Sequence, residues 1–108
     1  MTSEEFIKIL EEKGYSYEIE GDKIVVTYKR DVWLAALTSL PPGVEFKNDG
    51  RVHLQSLKTI SPGVGFKNGG SVHLKSLIGG RFNHWDGNIE GIDDNSLLNL
   101  MISKGMFI

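Results

Sequence analysis

The spacing of apolar and polar residues changes rhythm several times along the chain. Over residues 2–13, Phe6, Ile7, Ile9 and Leu10 form an apolar stripe at helical spacing. Thr2 and Glu5 fit a capping box, Glu4 and Glu5 suit the positive end of a helix dipole, and Gly14 is a natural stop. Residues 15–20 then alternate: Tyr15, Tyr17 and Ile19 face one way, Ser16, Glu18 and Glu20 the other. The run KIVVTY over 23–28 predicts a second strand, and Gly21-Asp22 suits the two-residue turn of a hairpin.

From Asp31 onward the pattern repeats. PGVEFKNDGRVHLQSL over 42–57 returns as PGVGFKNGGSVHLKSL over 62–77, an offset of 20 residues. A weaker copy lies upstream, where Val32-Trp33-Leu34 aligns with Val52-His53-Leu54 and Val72-His73-Leu74. Each unit is too short to bury its own apolar face, so stacking on a neighbour is required. Val52 and Leu54 point one way and His53 the other. Pro-Gly and the Asn-Asp-Gly or Asn-Gly-Gly runs are corners. The alternative is a meander in which Asn48-Asp49-Gly50 closes an antiparallel hairpin between 44–47 and 51–54. Near-identity of whole units favours stacked, parallel coils.

The expected fold is therefore α+β: a short capped β-solenoid of about three coils in one domain, 1–108. Residues 1–30 form a helix and β-hairpin cap, 31–80 hold three 20-residue repeats, and 81–108 form a C-terminal cap with a helix over 94–104. Asp93 is its expected N-cap, with Ile92 and Leu97 as a hydrophobic staple. The repeat breaks at Ile78-Gly79-Gly80.

The pattern V-x-L-x-S-L-x-x-I-x-P-G-V-x-F over 31–80 resembles the short leucine-rich-repeat-like units of small bacterial and phage proteins, with Leu57 and Leu77 standing near where an Asn is usual. The beginning and end of the chain also look like those of phage-type proteins with this repeat. Small phage proteins of this size include inhibitors of bacterial defence such as anti-CRISPR proteins. The resemblance implies a cytoplasmic inhibitor that binds a defence protein of the host.

Charge adds one point. Residues 1–22 carry seven acids against two lysines, 23–81 nine basic residues against three acids, and 82–108 four acids against one lysine, for a net charge of −2. The basic middle can attract an anionic partner or simply keep a solvated face soluble. There are no cysteines, which excludes disulfides, thiolate catalysis and zinc-thiolate sites. No apolar run approaches the about 20 residues of a membrane helix, and no signal peptide is visible.

The sharpest candidate site is the row Trp33, His53 and His73, expected about 4.8 Å apart on the outward face of a sheet. Arg51 and Ser71 flank it on one side, Gln55 and Lys75 on the other. Aromatic, His and Arg side chains in a row suit a protein contact; the simpler role is stacking that steadies the sheet. Lys47 and Lys67 form a second row, beside Asn48 and Asn68, which read first as turn residues and second as an internal ladder. Arg81, Phe82, His84, Trp85 and Asp86 cluster where the repeat stops; Arg81 and Trp85 are the contact candidates there. His53 and His73 are the start of a metal site only if further ligands converge, and neither has a paired nucleophile or carboxylate to make it a base. No cofactor is expected. The reading is a module that works by binding a larger, nucleic-acid-handling protein. Direct nucleic-acid binding by the basic repeats is the alternative, a His-based metal site the second, and an exposed end can pair two copies edge to edge.

Overall fold

The computed structural model describes residues 1–61, 63–74, 89–92, 99, 100 and 102. The elements are helix α1 (Ser3–Lys13) and strands β1 (Tyr17–Glu20), β2 (Lys23–Val26), β3 (Val32–Trp33), β4 (Val44–Phe46), β5 (Val52–His53), β6 (Gly65–Phe66), β7 (Val72–Leu74) and β8 (Ile89–Ile92). Asn99, Leu100 and Ile102 are helical. Lys75, the 78–80 break, the 81–86 cluster and the rest of the expected C-terminal helix lie outside the described residues.

Local chemistry accounts for α1. Thr2 Oγ1 accepts from the Glu5 N–H, and Glu5 Oε1 accepts from the Thr2 N–H, each at 3.2 Å, so two orphan donors are satisfied reciprocally. At the other end Gly14 turns left-handed at φ 73°, a conformation that costs glycine nothing. Phe6 and Leu10, four residues apart, bury one helix face.

The strands form two four-stranded sheets, ordered β1-β2-β4-β6 and β3-β5-β7-β8. Their inner faces share one core. Ile24, Val26, Val44, Phe46 and Phe66 come from the first sheet; Val32, Leu34, Val52, Leu54, Val72 and Leu74 come from the second. The Phe46 and Phe66 rings stack at 5.1 Å with planes 4° apart. Leu57 and Ile60 fill the bend between sheets, and Phe6, Leu10 and Ile102 join the same core. Each such buried side chain is worth about 1.5–3 kcal/mol.

This architecture corrects the expected capped solenoid. Both sheets are mixed: β2-β4-β6 and β3-β5-β7 pair in parallel, but β1 joins β2 and β8 joins β7 antiparallel. The hairpin is not a separate cap, because β2 is a body strand with Ile24 opposite Val44 and Val26 opposite Phe46. The 20-residue register therefore begins at Ile24, seven residues before the boundary expected at Asp31. The physical reason is ladder length. Repeat strands of two or three residues make few hydrogen bonds, so longer antiparallel strands complete each sheet. The meander is also absent: β4 and β5 belong to different sheets.

The corners are closed from inside. Asn48 is buried, and its Nδ2 lies 3.1 Å from each of the Arg30, Gly50 and Arg51 carbonyls. Asn68 repeats this with the Gly50 and Gly70 carbonyls at 3.0 and 2.7 Å. The internal ladder is thus the observed role of these residues. Neighbouring corners approach so closely that a Cβ at Gly50 would collide with the backbone of Arg30 and Asp31, and one at Gly70 would lie 2.8 Å from Arg51 N.

Candidate interaction surface around Trp33

Trp33, His53 and His73 occupy one register position on β3, β5 and β7, between core residues on either side. Their rings form a continuous stack. Trp33 and His53 are 3.6 Å apart and 3° from parallel; His53 and His73 are 4.7 Å apart and 9° from parallel. Parallel pairing of equivalent residues puts these side chains directly over one another.

The row is not uniformly open, which corrects the expectation of three outward contacts. Trp33 is 52% exposed, His73 half-buried, and His53 only 6% exposed. Alternation turned His53 away from the core, and its two neighbours then removed its water. Gln55 Nε2 lies 3.2 Å from His53 Nδ1. With the amide donating, the proton of the neutral ring sits on Nε2, which faces Asp31 Oδ2 at 3.9 Å, too far for a hydrogen bond. Burial pushes the His53 pKa below its ordinary 6.5; His73 and Arg51 push the same way, while Asp31 opposes. Ser71 Oγ lies 3.2 Å from His73 Nε2. In the Ser–His–Asp arrangement a carboxylate orients the imidazole that meets the hydroxyl. Among the described residues, the carboxylate within 4 Å of a histidine is Asp31, and its partner is His53.

Beyond Trp33 the sheet ends, because β3 is an edge strand. The Val32 and Leu34 N–H groups bond to β5, at Arg51 and His53 carbonyls. The Trp33 N–H points to the free edge, where it donates to Tyr15 Oη at 3.0 Å. Tyr15 in turn packs on Tyr28 at 4.8 Å and 51°. These rings line an open cleft of about 530 Å³ together with Arg30, Asp31 and Asp49. Asp31 Oδ1 accepts from the Arg51 N–H at 2.8 Å, which fixes its carboxylate on the cleft wall. The Asp49 N–H donates to the Tyr28 carbonyl at 3.1 Å, which holds Asp49 beside that ring.

The second expected row does not join this surface. Lys47 and Lys67 follow β4 and β6, on the other sheet. Lys67 Nζ pairs with Glu45 Oε1 at 2.6 Å. Glu45 is buried on the outer side of that sheet, and the Lys67 hydrogen bond holds its carboxyl below the ordinary 4.5. The structure therefore gathers Trp33, Arg51, His53, Gln55 and His73 on one sheet and separates Lys47 and Lys67 from them. Lys75, Arg81 and Trp85 lie outside the described residues.

Four cleft residues escaped sequence reasoning as a group: Tyr15, Tyr28, Asp31 and Asp49. One signal was available. Tyr28 stands 20 residues before Asn48, so the first unit carries an aromatic ring where later units carry the internal Asn. Among the described residues no group of three or more His, Asp or Glu is placed to hold a metal, and no helix is long and apolar enough to cross a membrane. Comparison with protein-family models, curated proteins and solved structures finds no match to this chain.

Proposed function

We propose that this chain is a non-catalytic binding module that captures a larger protein through Trp33 and the cleft beside it. One observation carries the reading: a large aromatic side chain, half exposed at the open end of a rigid stack. Tryptophan is among the residue types that dominate interface energetics. Here one ring face is already packed on His53 and the backbone N–H is already bonded, so little freedom is lost on binding. The resemblance to repeat-bearing phage proteins supports a partner among nucleic-acid-handling defence proteins, CRISPR-Cas-like, and an inhibitor acting in the cytoplasm of a bacterial host. Direct nucleic-acid binding draws less support, since the Lys67 charge is offset by Glu45 and lies on the sheet away from Trp33.

The test uses wild-type chain and Trp33→Ala as baits against bacterial host lysate, with parallel binding to bare DNA and RNA over a salt series. Capture of a defence protein that survives added salt and is lost with Trp33→Ala is the expected outcome. Tight binding to bare nucleic acid that weakens steeply with salt would instead favour the nucleic-acid alternative.

A further inference from the structure

The cleft next to Trp33 combines two features that recognise one kind of group. Three aromatic rings, Tyr15, Tyr28 and Trp33, line a single depression. Aromatic faces attract cations through the ring quadrupole, most strongly for Trp, within about 6 Å of the ring centroid. Two carboxylates, Asp31 and Asp49, share the same walls. Arg30 sits there too, so the lining carries two negative charges against one positive.

The geometry favours a guest over collapse. The Trp33 ring has His53 on one face and lies on the edge strand, with half of the side chain open. Tyr15 is held by its hydroxyl on the Trp33 N–H, and the Asp31 side chain is fixed by the Arg51 N–H yet 38% exposed. The cleft volume of about 530 Å³ is ample for one long side chain.

We infer that this cleft binds a cationic side chain, a lysine or arginine of the captured protein, held between the Tyr15, Tyr28 and Trp33 rings and neutralised by Asp31 and Asp49. The inference rests on the protein-binding reading and names the chemistry that its partner presents. A protein built to handle nucleic acid offers such side chains, because phosphate contacts come largely from lysine and arginine.

The 108-residue chain is titrated, at constant ionic strength and neutral pH, with N-acetyl-lysine amide, N-acetyl-arginine amide and N-acetyl-norleucine amide. The norleucine compound matches lysine in its apolar stem and lacks the charge. NMR reads the Trp33 indole and the Tyr15 and Tyr28 rings. Both cations are expected to shift these resonances saturably and to bind about two- to fivefold tighter than norleucine, the scale of an exposed cation–π contact. Asp49→Asn, an exposed change that spares the core, should weaken both cations about two- to fivefold and leave norleucine unaltered. Equal binding of norleucine, shifts confined to other residues, no shifts, or an Asp49→Asn chain that binds cations as wild type does would each overturn the inference. If the cations fail while capture still depends on Trp33, the cation claim alone falls. If the cations bind and no protein is captured, the protein-binding reading falls instead.

Discussion

The imidazole of His53 lies between an indole and a second imidazole, and burial in that sandwich makes its protonation depend on folding. Its folded pKa is lowered, so the unfolded chain takes up a proton at higher pH than the folded chain does. The stability that neutral His53 contributes is present above about pH 6.5 and is lost as pH falls through the lower folded value. Urea midpoints measured between pH 8 and 5 should decline below about 6.5. The slope should flatten in His53→Gln and steepen in Asp31→Asn, which removes the one neighbour favouring the charged ring; a flat wild-type profile would refute this account. Glu45 follows the opposite chemistry with the same sign. Its carboxylate is stabilised by Lys67, so that contribution is present above its ordinary 4.5 and fades as pH drops further. Lys67→Met leaves a buried carboxylate without its cation. The Glu45 pKa, followed by carboxyl NMR, should rise relative to wild type.

At the scale of elements, short strands need their edges closed, and side chains do this at two places. Tyr15 Oη fills the free edge of β3. Asn99 fills that of β6, accepting from the Phe66 N–H at 2.6 Å and donating to the Phe66 carbonyl at 2.8 Å, as a paired strand would. Inside the corners Asn48 plays the comparable part, and Asn48→Leu should cost about 1–3 kcal/mol by leaving buried carbonyls unpaired. Denaturant unfolding measures it, and an unchanged midpoint would show that water replaces the amide. These facts also mark how far the chain could be read unaided. The helix was legible because capping box, apolar stripe and stop are all signals within a few residues of one another. Equivalence of Val32, Val52 and Val72 was legible because whole units recur. The place of β2 was not, since Lys23–Val26 shares only its apolar rhythm with Val44–Phe46, and a hairpin turn suggested a self-contained cap. Burial of His53 was hidden for a related reason: alternation says which way a side chain points, while exposure depends on what stacks above and below it.

At the scale of the molecule, the remaining risk is self-association, and β1 is one edge open to it. This strand is an edge of its sheet, it is four residues long against two at the opposite edge β6, and its Ile19 is 55% exposed. An exposed edge with apolar side chains is a template for a second copy, here at β1 and not at the exposed repeat end that the sequence suggested. Two features oppose it. Glu18 and Glu20 stand on this short strand, so an antiparallel copy would bring like charges together across the new pair. The first 22 residues as a whole carry a five-charge acidic excess, which repels the same segment of another molecule at low salt. The chain should therefore be monomeric at low salt in light scattering or sedimentation. Glu18→Val with Glu20→Val should shift it to dimers or larger species by extending the apolar edge, and raised salt should move wild type in the same direction without reaching that extent. A wild-type dimer at low salt that is indifferent to both substitutions would mean that association uses another surface, and the Trp33 face would be the first to examine because it also lies on a sheet edge and holds a half-exposed large hydrophobic side chain.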